Sequence, residues 1–373
     1  MCAARTDGAQ VQVGFIGARH PHILQRVHLL ANNERATVLG FVEEDDAVAR
    51  ELEERLDLKR FETLDELLLR GVDVAVVEAL DPDVPKLARA CIGRVKSVLI
   101  EKPGADRPEF AYPLARLLRE AGTVVEFGYE MHYADCMRSL RRVLSSGCLG
   151  QVTLARFHGG NPVGCALELW QSLPDDLGGV GYTEGCHLVE LVTDLFGVPE
   201  AVSALAVRLP PGEALVSPFY KAGLFSPADA LTKVRVGTCK YEDLMTTTLV
   251  YHDKLVTVDL TAWEARSWVE DWSAELYGTN GTVRASFASE LVEINLREER
   301  GGLPSGQTVV EAGKSGLGYM YERQLGSLIS RTLGNPAAEA VGLEAGMGVL
   351  RVLEAAYASA AASGKSVVVP QPK

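Results

Sequence analysis

The chain has 373 residues, enough for two domains with sizeable cores, and its 47% hydrophobic and 23% charged content is that of a soluble globular protein. A net charge of −13 argues against a nucleic-acid partner, because neutralising phosphates takes a basic face. Seven cysteines without a CxxC pair argue against a disulfide framework or a thiolate metal site and fit a reducing compartment. The start, MCAARTDGAQ, lacks the apolar core of a signal peptide, and no run approaches about 20 apolar residues. A cytoplasmic enzyme with no membrane partner is expected.

In chain order, VQVGFIG predicts a buried strand, HPHILQRVHLLANN a helix and ATVLGFVEE a second strand. AVARELEERLD and FETLDELLLRG predict helices, VDVAVVEAL a strand, VPKLARACIGR a helix and KSVLIEKP a strand. Strands alternating with helices predict a parallel, doubly wound sheet with ligands at the carboxyl ends of its strands. After Glu126 the texture changes: MRSLRRVLSSG predicts a helix and QVTLARFHGG a strand. From Ala201 β signals dominate, with AVSALAVRL, LMTTTLVYHDKLVTVDLTAW, WSAELYGTNGTVRAS and SELVEINL read as successive antiparallel strands. YHDK and GTNGT are hairpin-like turns, and two helices, from YERQLGSLISRTLG and GLEAGMGVLRVLEAAYASA, close the chain.

Gly14 and Gly17 sit where an apolar strand runs into a helix, the context a dinucleotide turn requires. Glycine there lets backbone approach a pyrophosphate lying on the helix N-terminus. Arg19 brings a side chain into that space, where it either crowds phosphates out or grips them. The next strand ends FVEEDD, and Glu43 is the candidate to accept from an adenosine ribose, favouring NAD over NADP. The bland reading, an acidic loop opening a helix, fits Asp46 better than Glu43. LIEKPGA puts Lys102 at the end of a buried strand, where desolvation and nearby positive charge would suit it to proton transfer. A cis Lys102–Pro103 bond is expected there. In GGVGYTEGCHLVELVTDLFG, His187 lies near the start of an amphipathic helix with Thr183 one turn earlier, and an imidazole there can exchange a proton with a hydroxyl. No HExxH or GxSxG spacing occurs, so neither a metal nor a serine nucleophile is expected. Trp263, Trp268 and Trp272 read as sheet packing.

These pieces, in this order, resemble the Gfo/Idh/MocA oxidoreductases (glucose–fructose oxidoreductase, inositol dehydrogenase and relatives). The likeness runs from Val11 to Val369 and includes ETLDELL before VDVAVVEA, the EKP, the GxH and LFG, LYGTNGT and the closing AAYASAAASGKSV. It implies a tail over residues 1–10 that is disordered, a Rossmann domain over 11–127 and an α/β domain over 128–373. The second domain would carry a large, mostly antiparallel open-faced sheet, through which the chain would form a homodimer or homotetramer. It implies NAD as cofactor, held by Gly14, Gly17, Ala18, Arg19, His20, Glu43, Glu101, Lys102 and Pro103. Lys102 and His187 map to the family residues that handle the proton of the reacting hydroxyl. Thr183, with Glu184 adjacent, stands where the family's DxGxH motif has its acid and is expected to hydrogen-bond the substrate or orient His187, and GYEMHYAD offers Glu130 and His132 where the family is usually basic. Glu168, Trp170, Gln171 and Tyr182 are further candidate substrate contacts.

The leading expectation is an NAD-dependent dehydrogenase of a secondary alcohol on a sugar or sugar nucleotide, in the making of an unusual sugar or a secondary metabolite. Alternatives are a redox-neutral, NAD-using enzyme of epimerase, lyase or glycosidase type, and a non-catalytic ligand-binding member of the family.

Overall fold

The computed structural model describes residues 10–20, 22–160, 179–216, 233–237, 241–264, 272–314 and 316–371. It divides into two compact units, one of residues up to Gly128 with Tyr321–Leu343, the other of Tyr129–Met320 with Glu344 onward.

The first unit holds five strands, β1 (Val11–Ile16), β2 (Ala36–Val42), β3 (Val74–Val77), β4 (Ser97–Ile100) and β5 (Val124–Phe127). They pair in parallel in the order β2-β1-β3-β4-β5. Every residue of β3 and β4 is buried, as strands covered on both faces must be. The helices are α1 (His22–Ala31), α2 (Asp46–Leu56), α3 (Leu64–Leu68), α4 (Val84–Cys91) and α5 (Pro108–Ala121). Asp45, not Asp46, caps α2, accepting from the amides of Ala47 and Val48.

Three expectations change here. Gly14 lies inside β1, where a Cβ would stand 3.1 Å from the side chains of Leu67 and Val72; it serves packing rather than a phosphate turn. Helix α5 and strand β5 were not named from the sequence, since Pro113 interrupts one pattern and four residues are little signal for the other. Tyr321–Leu343 groups with the first unit instead of the second. Arg331 of this segment donates to the Val125 carbonyl at 3.0 Å and pairs with Glu126, and the Val341 carbonyl accepts from Phe127 N–H at 2.8 Å. The segment thus satisfies the edge of β5, a pairing too distant in sequence for periodicity to reveal.

In the second unit, β6 (Val152–Gly160), β7 (Ala201–Val207), β10 (Leu244–Val250), β11 (Leu255–Thr261), β12 (Ser273–Gly278), β13 (Gly281–Ser286), β14 (Leu291–Leu296), β15 (Gly306–Glu311) and β16 (Val367–Val368) form one sheet. Its order is β15-β14-β13-β12-β6-β11-β10-β7-β16, and β8 (Ala214–Val216) pairs with β9 (Lys233–Arg235) apart from it. All neighbours in the large sheet run antiparallel except β11 and β6, which are parallel. Helices α6 (Asp135–Ser146), α7 (Val180–Thr183), α8 (Gly185–Phe196) and α10 (Leu343–Ala361) belong mainly to this unit, while α9 (Leu317–Thr332) runs from it into the first. Strands β6 and β11 alternate, turning Ala155, Phe157, Val256, Val258 and Leu260 to the buried side. Large apolar side chains on the strands of this sheet also reach solvent, among them Leu205, Val207, Leu255, Leu291 and Val309. Among the described residues no helix is long and apolar enough to cross a membrane.

Candidate functional site

Each strand of the first unit passes one residue to its carboxyl end: Gly17 after β1, Glu43 after β2, Glu78 after β3, Glu101 after β4 and Gly128 after β5. Gly17 has φ +71°, and a Cβ there would lie 3.0 Å from the Ala79 Cβ, so the turn requires glycine. Glu43 accepts from Ala18 N–H at 2.8 Å and from Asp45 N–H at 2.9 Å. Burial pushes its carboxyl above the usual range, while those two N–H groups and Arg19 pull the other way. About four lone-pair sites serve a carboxylate, so two remain for a ligand. Lys102 is 6% exposed directly after Glu101, and the Lys102–Pro103 bond is cis, as expected.

Beneath this turn lies a buried cluster that the motif reading missed in part. Arg26, fully buried on α1, places Nη1 2.6 Å from Glu78 Oε1 and 2.6 Å from Glu101 Oε2, and its guanidinium lies 5.2 Å from the Tyr321 ring centroid. His20 Nε2 is 3.7 Å from Glu101 Oε1, His20 Nδ1 3.7 Å from Glu78 Oε2, and His22 Nδ1 3.3 Å from Glu101 Oε2. Burial works against the Arg26 charge, but Glu78 and Glu101 outweigh it and keep the guanidinium protonated. Burial also opposes ionisation of Glu101, yet His20, Arg26 and His22 hold it well below the carboxylate range. Glu78 is pushed up to about 8 by burial, against the pull of Arg26. Both imidazoles are driven down by burial, His22 to about 4, with Arg26 and Lys102 adding to the effect. At neutral pH the cluster is therefore one Arg26–Glu101 charge pair among neutral imidazoles. A signal for Arg26 exists in the sequence: it lies on the stripe Ile23, Val27, Leu30 that α1 buries.

His20, His22 and Glu101 bring donor atoms within 4.8 Å of one another, a spacing a metal ion accepts. Arg26 already supplies the cation on that carboxylate, so the guanidinium accounts for the cluster without a metal. The turn itself fits a dinucleotide. Gly17 keeps side-chain bulk away, α1 has no acidic residue in its first turn, and Glu43 retains open lone pairs.

In the second unit, His187 on α8 is buried, with Nδ1 4.0 Å from Glu130 Oε1 of the 3-10 turn Glu130–Tyr133. Tyr129 and Trp272 stand edge-on to its ring at 5.7 Å and 6.0 Å. Trp272 is fixed in turn by Nε1 donating to the Gly160 carbonyl at 2.8 Å. The Thr183 hydroxyl donates to its own chain, to the Gly179 carbonyl at 2.9 Å, rather than standing in for an acid. Tyr182 is buried against the Tyr357 ring, at 6.1 Å, and Glu184 is buried as well. His132 Nδ1 lies 2.8 Å from Glu190 Oε1, and Arg141 Nε donates to Asp194 Oδ2 at 2.6 Å. Burial opposes the His132 charge, but Glu190 outweighs it and raises the imidazole above its ordinary value. Glu168, Trp170, Gln171 and Trp268 lie outside the described residues.

Residues 11–129 match a family model described as oxidoreductase family, NAD-binding Rossmann fold, and residues 137–284 match the GFO/IDH/MocA C-terminal domain. The chain is 27% identical over 173 residues to the uncharacterized oxidoreductase C115.03 of Schizosaccharomyces pombe, covering 45% of this chain and 46% of that one. It is 25% identical over 264 residues to inositol 2-dehydrogenase 1 of Mycolicibacterium vanbaalenii, covering 70% of this chain and 66% of that one. The matched part thus spans about half the length of the first relative and two thirds of the second.

Among solved structures, an oxidoreductase from Agrobacterium radiobacter in complex with NAD+, L-tartaric acid and magnesium superimposes with a TM-score of 0.77 at 16% identity, covering 97% of this chain and 99% of that one. GenD2 from gentamicin A biosynthesis, in complex with NAD, gives 0.73 at 21% identity, covering 100% and 99%. The WlbA dehydrogenase of Bordetella pertussis, with NADH and UDP-GlcNAcA, gives 0.72 at 17% identity, covering 97% and 99%. With both of its domain models matched in order, the chain belongs to the Gfo/Idh/MocA family of oxidoreductases and carries that family's NAD-binding Rossmann domain.

Proposed function

We propose that the protein is an NAD-dependent dehydrogenase acting on a secondary alcohol of a sugar or sugar nucleotide. The observation that carries this reading is Lys102, a buried amine directly after β4 at the carboxyl end of the NAD-binding sheet. Bound NAD would supply the hydride acceptor at its nicotinamide. The chain's own part is to hold and to deprotonate. Glu43 receives the adenosine ribose and disfavours a 2′-phosphate, Gly17 and the start of α1 receive the pyrophosphate, and Lys102 takes the proton of the reacting hydroxyl. In the second unit, His187 is a separate candidate for proton transfer. Inositol 2-dehydrogenase among the relatives, and a sugar-nucleotide complex among the structural neighbours, support a polyhydroxylated substrate. The GenD2 likeness supports a place in secondary metabolism. We also assign self-association to the open side of the large sheet, where Leu205, Leu255, Leu291 and Val309 reach solvent, in a protein that works in the cytoplasm.

The test is NADH formation from NAD with a panel of sugars, inositols and sugar nucleotides. Steady accumulation with any of them supports the reading. Substrate conversion without net NADH would assign the protein to redox-neutral chemistry instead.

A further inference from the structure

We infer that Glu130 is the acid partner of His187, a positioning residue supplied from a different part of the chain than position 183, whose threonine has none to give. Its role in handling the hydroxyl proton rests on the dehydrogenase reading; the pairing itself does not. Three side chains project from α8 at one-turn spacing, His187, Glu190 and Asp194, and each meets a partner of complementary acid–base type. His187 faces Glu130 at 4.0 Å, Glu190 faces His132 at 2.8 Å, and Asp194 faces Arg141 at 2.6 Å. On the helix only the first rung is basic and the next two are acidic, so a one-rung shift would set His187 against His132 or Glu190 against Glu130. This ladder fixes the face of α8 and with it the direction of the His187 ring.

Around His187, Glu130 presents a carboxyl oxygen to the ring at 4.0 Å. Tyr129 and Trp272 present ring edges. Glu190 is engaged by His132, and Glu184 precedes the helix and receives the His187 N–H through its backbone carbonyl at 3.1 Å. Strands β6 and β11 turn apolar residues to the helix and carry Arg156, His158 and Asp259 on the alternate face. A carboxylate at 4.0 Å favours the imidazolium that forms when His187 accepts a proton.

Histidine-labelled protein, followed by NMR from pH 5 to 9, tests this without substrate or cofactor, with His187 assigned by His187→Asn. Glu130→Gln is expected to lower the His187 midpoint by about one pH unit or more while leaving His132 in place. Glu190→Gln is expected to move His132 and leave His187. Glu130→Asp, with its carboxylate on a shorter stem, is expected to fall between wild type and Glu130→Gln, and serves if the glutamine variant does not fold. An unchanged His187 midpoint in a folded Glu130 variant overturns the pairing, as does a His187 that stays neutral throughout in both proteins. Failure here leaves the dehydrogenase reading standing, and absence of turnover leaves the pairing standing.

Discussion

Each unit buries histidines among carboxylates, yet the two settle their charges in opposite ways. In the first, burial is the main cause that leaves His20 and His22 neutral, while the permanent charge of Arg26 lies on Glu101, which stays ionised. In the second, Arg141 binds Asp194 and also reaches His132 Nδ1 at 3.1 Å, yet Glu190 outweighs both burial and that guanidinium, so His132 is raised. A buried carboxylate raises a histidine only when no stronger cation claims it first. One cluster thereby keeps its imidazoles neutral beneath the dinucleotide turn, while in the other His132 is held above its ordinary value.

The comparison breaks most severely at Arg26. Replacing it with Met leaves Glu78 and Glu101 buried side by side without their cation, and a loss of about 3–5 kcal/mol is expected in urea unfolding. A loss below about 1 kcal/mol would mean that the guanidinium is not the charge that organises the cluster. Next is Gly17→Ala, which forces a side chain into a left-handed backbone against Ala79. It should cost about 1–2 kcal/mol and weaken NAD binding, as read by calorimetry.

Glu78 sharpens the contrast through pH. Folded, it keeps its proton to about pH 8, against about 4.5 when unfolded, so folding takes up a proton and stability falls as pH rises across that window. His22, at about 4 folded and 6.5 unfolded, acts in the reverse sense below pH 6.5 and drops out above it. The thermal midpoint should fall from pH 6.5 to 8 in the wild type and stay flatter in Glu78→Gln; equal slopes would contradict the assignment. His132 gives a smaller effect of its own. Its folded value is raised, so its stabilisation is present below pH 6.5 and is lost as pH rises through the folded value. Glu190→Gln should remove that slope. Smallest is Trp272→Phe, which gives up the bond to Gly160 and should cost about 1 kcal/mol.

The strand and helix pattern, the glycine turn, Glu43, the EKP and the His187 helix were legible because each is a local signal: periodicity, a punctuating glycine, a residue after a strand. Glu78 was equally local but hidden inside the apparent strand VDVAVVEAL, where β3 in fact stops at Val77. Arg26 lies on the buried stripe of α1, so its position was legible, but its two carboxylate partners were not. The Glu130–His187 pair and the return of Tyr321–Leu343 to the first unit are long-range pairings, which no spacing in a single sequence encodes.

The central claim, that a buried lysine of the NAD-binding unit takes the proton of an alcohol as NAD is reduced, is tested most directly by Lys102→Met. NADH formation with a turned-over substrate should fall by at least about 10²-fold in the variant. Calorimetry should show NAD binding retained. Full activity in Lys102→Met, or turnover by the wild type with no NADH accumulating, would contradict the account.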